Sequence, residues 1–277
     1  METTRPGDDP VREQAPQRQP GGVSRLEQAL AGDEFVLYYQ PKVDLRDGHA
    51  VGAEALIRWQ HPQRGLLVPR QFLHLIDDAG FAAMLGRWVI ATAVAQLDQW
   101  LRAGLDVSLN VNIAAQHLRS ASLVDDIGSA LDACPTVPPD ALELELNEAT
   151  ACADVAGASM VVDVCRHRGV RFALDNFGSG PASLSQLRRL GVDTLKIDQS
   201  LVCTMLDNSP DQAMVEAIIG LGRAFRLEVV AEGVETAAHC AALINLGCAF
   251  GQGYGIARPM AAEEFADWMH SRPRPSP

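Results

Sequence analysis

The chain has 277 residues, 47% hydrophobic and 21% charged, enough apolar side chain to close one sizeable core. Asp and Glu number 35 against 23 Lys and Arg, a formal charge of −12. That balance excludes a surface built to grip a nucleic-acid duplex or an anionic membrane, while leaving room for one small anion held through metal ions. No apolar run reaches the roughly 18–20 residues of a bilayer span, and the first 22 residues lack the apolar stretch of a signal peptide. The six cysteines form no C-x-x-C pair, so reduced thiols in a cytoplasmic protein without membrane insertion are expected.

In chain order, residues 1–23 are polar and rich in Pro and Gln and read as a disordered tail; 24–270 read as one domain, and 271–277 as a second tail. Within the domain, β-rich runs fall at 34–39, 51–59, 107–112, 142–146, 171–175, 194–197, 228–232 and, weakly, 248–253. Amphipathic stretches lie between them, at 70–80, 84–104, 122–134, 211–225 and 237–247. Strands alternating with helices predict parallel pairing through crossovers, and eight such strands in about 250 residues match an α/β (β/α)₈ barrel. A doubly wound open sheet satisfies the same pattern. Only ten residues join the first two strands, with a turn at Arg46-Asp47-Gly48, so that pair is expected to be an antiparallel hairpin.

Polar residues recur where these strands end: Glu54, Asn112, Glu145, Asp175, Lys196, Glu232 and Gln252. One acid at a strand end is ordinarily a helix cap or a solvated charge. Seven polar strand ends would face one mouth of a parallel barrel, where the active sites of that fold lie. Converging carboxylates raise one another's pKa unless a cation intervenes, and an all-oxygen donor set favours Mg²⁺ or Mn²⁺ over Zn²⁺. Such ions polarise a phosphoryl or enolate oxygen and generate hydroxide.

The segments YQPKVDL (39–45), AEALIRW (53–59), VNI (111–113), ELELNE (143–148), ALDNFGSG (173–180), DTLKID (193–198), VVAEGVET (229–236) and QGYGIARP (252–259) together resemble the EAL domain, the cyclic di-GMP phosphodiesterase family. The resemblance covers residues 26–268 and implies a TIM-type barrel with an antiparallel first strand. It implies that two divalent ions, Mg²⁺ or Mn²⁺, serve the hydrolysis of cyclic di-GMP to pGpG. Glu54, Asn112, Glu145 and Asp175 match the ligands of the first ion, and Asp175 with Asn176 the bridge to the second. Lys196 and Glu232 resemble the pair that activates the attacking water. Arg58 resembles the phosphate partner, and Gln40, Leu56 and Gln252 resemble residues lining the nucleotide site. Glu235 is a weaker substrate-side candidate, equally readable as a helix N-terminal charge. Glu148 resembles the anchor of a loop that couples the metal site to a dimer interface, and a homodimer is implied.

Three departures from the family pattern stand out. Asn176 occupies the second position of a D-D-F motif, Asn147 replaces a usual Thr, and Pro181-Ala182-Ser183 replaces Tyr-Ser-Ser. Losing the charge at 176 predicts an attenuated enzyme with a weakened second metal site. The competing class is a cyclic di-GMP receptor that binds without turnover and signals through a protein partner. A third reading, an enolase-type barrel acting beside a carboxylate, is disfavoured by Asn112, Arg58 and the QGY segment.

Overall fold

A computed structural model describes residues 25–180 and 182–272. The expected tail over 1–23 and most of that over 271–277 lie outside the described residues; Arg272, which is described, donates to the Gly48 carbonyl at 3.1 Å and stacks over Trp268. The strands are β1 (Phe35–Asp44), β2 (Ala50–His61), β3 (Gly65–Leu67), β4 (Ser108–Asn112), β5 (Leu142–Asn147), β6 (Arg171–Phe177), β7 (Thr194–Ile197), β8 (Glu228–Ala231) and β9 (Phe250–Gly251). The helices are α1 (Arg25–Ala31), α2 (Ala79–Arg102), α3 (Ala115–Leu118), α4 (Leu123–Ala133), α5 (Glu148–Ala153), α6 (Val155–Arg166), α7 (Leu184–Leu190), α8 (Gln199–Thr204), α9 (Ser209–Phe225), α10 (Ala237–Leu246) and α11 (Ala262–His270).

Eight strands close on themselves in the order β1-β9-β8-β7-β6-β5-β4-β2, with β2 returning to β1 and the short β3 appended outside β2. Strand β1 is antiparallel to both of its neighbours; every other adjacent pair in the ring is parallel. The fold is therefore the α/β barrel with an antiparallel first strand. The open-sheet alternative fails on the β1–β2 pairing, which runs from Phe35 opposite Trp59 to Val43 opposite Ala50 and leaves no free edge in the ring.

The core sits between strands and helices. Leu109, Val111, Leu142, Leu144, Leu146, Phe172, Leu174, Leu195 and Ile197 are each fully buried and, except across Ala173 on β6, alternate along their strands with polar positions. A second apolar cluster (Leu26, Phe35, Trp59, Leu67, Phe72, Phe81, Leu85) packs outside the β1–β2 hairpin. It explains why residues 70–80 do not form the amphipathic helix their pattern predicts. Pro69 opens a single 3₁₀ turn, Phe72 turns fully into the aromatic cluster, and a second short turn ends at Leu75. Helix α2 starts only when Asp78 accepts the Phe81 amide at 2.7 Å.

By length and composition alone, helix α2 could cross a bilayer, although Arg87 interrupts its apolar run. Its most apolar 18 residues reach a mean hydropathy of 1.3. Phe81, Leu85, Ile90, Val94, Leu97 and Trp100 are instead buried in the protein core. All six cysteines are unpaired.

Candidate active site

Side chains two apart on a strand share a face, and this rule builds the site. On β2, Glu54, Leu56 and Arg58 share one face, while Ala53, Ala55 and Trp59 share the other. Asn110 and Asn112 do the same on β4, Glu143 and Glu145 on β5, and Thr194 and Lys196 on β7. The apolar partners between them (Val111, Leu144, Leu195) fill the core outside the ring. The strands thus carry their hydrophobic face outward, toward the helices, and a polar face into the barrel.

Lys196 is the centre. Its Nζ lies 2.7 Å from Glu145 Oε1 and 2.7 Å from Glu232 Oε1, 3.3 Å from Glu54 Oε2 and 3.5 Å from Asp175 Oδ1. Asn112 Nδ2 donates to Glu54 Oε1 at 2.6 Å, and Gln252 Nε2 donates to Glu54 Oε2 at 2.6 Å and Glu232 Oε1 at 2.9 Å. Seven residues from seven strands or strand ends therefore meet in one network.

The electrostatics of this network call for a cation. Four carboxylates surround one ammonium, and all five groups are largely withdrawn from water. Burial and the neighbouring Glu54 hold the Glu145 carboxyl well above the usual range. Burial outweighs the opposing pull of Lys196 to raise Asp175, and pushes Glu232 up to about 8. Burial also acts against Glu54, but there Lys196 and the two amides win and its pKa falls. Lys196 likewise overcomes burial, through its carboxylates, and is raised. Among the described residues, Glu145 Oε2 is buried without a hydrogen-bond donor, and Asp175 Oδ1 has only the Lys196 ammonium at 3.5 Å. Acceptor-only oxygens left over in an acidic cage fit a hard divalent ion.

The raised carboxyls give a signed expectation for the protein in chelator. Glu145, Asp175 and Glu232 hold protons in the native state that the unfolded chain releases near its ordinary carboxylate pKa. The stability these groups contribute is fully present below that value and is lost as pH rises toward about 8. The urea midpoint should fall between pH 5 and pH 8, roughly the span from the unfolded carboxylate pKa to that of Glu232. A midpoint that climbs across that interval would contradict this assignment of the protons.

Asp175 and Asn176 sit where the β6–β7 register breaks, between Leu174 and Phe177. Asn176 adopts a left-handed backbone (φ 58°), which Asn and Asp tolerate better than other non-glycine residues. Its Nδ2 donates to Asp175 Oδ2 at 2.8 Å. After this bulge, the loop is held by Glu148, whose buried carboxylate accepts from the amides of Gly178 and Gly180 at 3.1 Å and of Ala182 at 2.6 Å. Asn147, the second departure, accepts from the Ala149 and Thr150 amides and N-caps α5. Pro181 lies outside the described residues, and Ser183 caps α7 through its hydroxyl.

The other sequence candidates fall around this centre. Arg58 is buried, lies over the Tyr38 ring, donates to the Ile57 carbonyl and has no carboxylate partner among the described residues. Gln40 faces Glu54 across the β1–β2 pair and donates to the Ala257 carbonyl. Leu56, partly buried, lies between Glu54 and Arg58 on their face of β2. Glu235 is exposed, and its side chain joins neither the carboxylates nor Lys196. The loops carrying Glu232 and Gln252 pass so closely that a Cβ at Gly253 or Gly255 would collide with the backbone of Val234 or Glu235.

A second polar layer escaped the sequence reading. Asn110 Nδ2 donates both to Glu143 Oε2 at 2.7 Å and to Glu145 Oε1 at 2.9 Å, the oxygen that Lys196 also contacts. Glu143 in turn accepts from Thr194 at 2.6 Å and pairs with Lys42 at 3.6 Å and Arg171 at 3.5 Å. The signal was present, since Asn110, Glu143 and Thr194 each lie two residues before a residue singled out on the same strand. Asp44, Asp47 and His49 form a further acidic group at the opposite barrel end, where Arg46 pairs with Asp44 and His49 with Asp47.

A family model described as the EAL domain matches residues 23–259. The bifunctional diguanylate cyclase/cyclic di-GMP phosphodiesterase MucR of Pseudomonas aeruginosa is 41% identical over 240 residues, 86% of this chain and 35% of MucR. Cyclic di-GMP phosphodiesterase PA2567 of the same organism is 36% identical over 264 residues, 94% of this chain and 44% of that protein. The chain thus spans less than half the length of these relatives. A solved structure titled as the PaMucR phosphodiesterase in complex with c-di-GMP superposes with a TM-score of 0.83 at 41% identity, covering 87% of this chain and 97% of that one.

Proposed function

We propose, because this chain belongs to the EAL domain family, that it hydrolyses cyclic di-GMP to linear pGpG, at a rate attenuated by Asn176. The observation that carries this reading is the polar face of β2. It places Glu54 in the carboxylate cage and, two steps further out, a buried Arg58 with no carboxylate partner among the described residues. A cage fit for divalent cations beside an unpaired guanidinium is a receptor for a phosphodiester anion.

Glu54, Asn112, Glu145 and Asp175 would hold one divalent ion, Mg²⁺ or Mn²⁺, and Asp175 with Asn176 a weaker second. Such ions stabilise charge on the attacked phosphoryl group and lower the pKa of water. The remaining work belongs to the side chains. Arg58 takes a phosphate oxygen, and Leu56, Gln40 and Gln252 border the nucleotide. Glu232, pushed up to about 8 in the metal-free protein, would accept the proton of the attacking water in the ionised form that a neighbouring divalent cation favours, while Lys196 fixes Glu232 and Glu145 through their Oε1 atoms. Water oxygen bonds to phosphorus as its proton passes to Glu232, the P–O3′ bond breaks, and the leaving 3′ oxygen takes up a proton from solvent, giving a 5′-phosphate on pGpG. Glu148 fixes the loop after Asn176 and so the direction in which residues 175 and 176 point.

The test is chromatography of the products of cyclic di-GMP incubated with the purified protein in Mg²⁺ and then Mn²⁺. Slow appearance of pGpG is expected, faster as Mn²⁺ rises. Calorimetric binding of cyclic di-GMP with no pGpG under any metal condition would replace the enzyme with the receptor reading, which Asn176 alone favours.

A further inference from the structure

A cavity of about 630 Å³ opens at the barrel end opposite the carboxylate cage, lined by Arg166, Arg171, Arg188 and Arg226 together with Asp193 and Glu228. Arg171 opens β6, Asp193 precedes β7 and Glu228 opens β8, whereas Asp175, Lys196 and Glu232 lie at the far ends of those strands. Four residues of strand at ~3.3 Å each separate the two sites by about 13 Å. The cavity holds four guanidiniums against two carboxylates, in a chain of net charge −12.

The helix ends that surround it explain only part of this charge. Helices α6, α7 and α9 end here, and their carbonyls attract cations. Arg166 serves that need, donating to the Gly191 carbonyl at 2.8 Å and pairing with Asp193 at 3.1 Å. Arg171 is shared between Glu143 and Glu228 at 3.5 Å. Arg188 and Arg226 are exposed, and among the described residues their side chains make no ion pair and bond no carbonyl. Arg226 also sits where a glycine would be at ease. It caps α9 with a left-handed backbone (φ 60°), the role Gly191 (φ 69°) plays for α7 and Gly247 (φ 86°) for α10. An arginine there strains the backbone and sets its side chain on the cavity wall.

We infer that this cavity is a second anion site, which takes the phosphate group of a small phosphorylated molecule up to the size of a mononucleotide, with Arg188 and Arg226 as its free guanidinium forks. Guanidiniums suit this ligand because each can present two parallel N–H donors to a phosphate. The site is independent of the catalytic reading, since none of the cage residues lines it.

Calorimetric titration of the full chain in EDTA with inorganic pyrophosphate, and separately with GMP, tests this. Saturable binding that weakens with added salt is expected. Arg188→Ala combined with Arg226→Gly should weaken it at least tenfold, while Arg58→Ala, at the other mouth, should leave it unchanged. Arg226→Gly relieves the left-handed strain and should melt no lower than the parent, which separates lost binding from lost folding. Tighter binding of GMP would assign a nucleotide, and equal binding of pyrophosphate the bare phosphate group. Absence of binding up to concentrations on the order of 10 mM would overturn the inference. So would binding lost in Arg58→Ala but kept in the double variant.

Discussion

Glu54→Ala is expected to lower cyclic di-GMP cleavage by at least about 1,000-fold while leaving the barrel folded. Groups that merely support a metal ligand cost roughly 10–100-fold when removed, and Glu54 is placed to be a ligand itself. It is also the acceptor on which three other site residues depend. Asn112 and Gln252 donate to its two oxygens at 2.6 Å, and Lys196 lies 3.3 Å away. Alanine leaves the Asn112 amide without this acceptor and leaves Gln252 with Glu232 alone. The core behind it is untouched, because Ala53 and Ala55 carry the apolar face of β2. The measurement is steady-state pGpG production beside circular dichroism and a melting curve. A folded variant that retains a tenth of the parent rate would remove Glu54 from the mechanism.

Asn176→Asp is expected to act in the other direction, raising turnover about 30- to 1,000-fold at limiting metal, equivalent to roughly 2–4 kcal/mol. In the native chain the Asn176 amide donates to Asp175 Oδ2, so one oxygen of a key carboxylate is spent on a neighbour. Aspartate cannot donate. It would release that oxygen and add two of its own, at a left-handed backbone position that Asp accepts as readily as Asn. The gain should shrink as Mn²⁺ approaches saturation, since mass action fills a weak site. An unchanged rate across the whole Mn²⁺ range would show that the charge at 176 does not limit this enzyme.

Both predictions rest on residues that stand out in the sequence, and the reason is the period of a strand. LELEL, LNVN and TLK each alternate apolar with polar residues, and in a barrel wrapped by helices that alternation means apolar outside and polar inside. Glu145, Asn112 and Lys196 were therefore legible one strand at a time, as were Glu54 and Arg58 on one face of β2. The same rule, applied one step earlier on each strand, marks Asn110, Glu143 and Thr194, whose contact with the cage was not foreseen. Residues 70–80 misled because Phe72 fits a helical apolar stripe as well as it fits the aromatic cluster that captures it.

What the sequence by itself determined is the phase of each strand, the kind of chemistry its polar face can hold, and the family to which the chain belongs. What only the tertiary structure decided is who meets whom. Lys196 reaches carboxylates from four other strands or strand ends, and Glu148 gathers three loop amides from 30 to 34 residues away. Glu235, inside a conspicuous motif, stays outside the cluster, while Arg188 and Arg226, in no motif at all, line one cavity. The physical reason is that alternation along a strand is a local property of the backbone. The register between strands, by contrast, is fixed by closing the whole ring, and neither a spacing nor a motif encodes that closure.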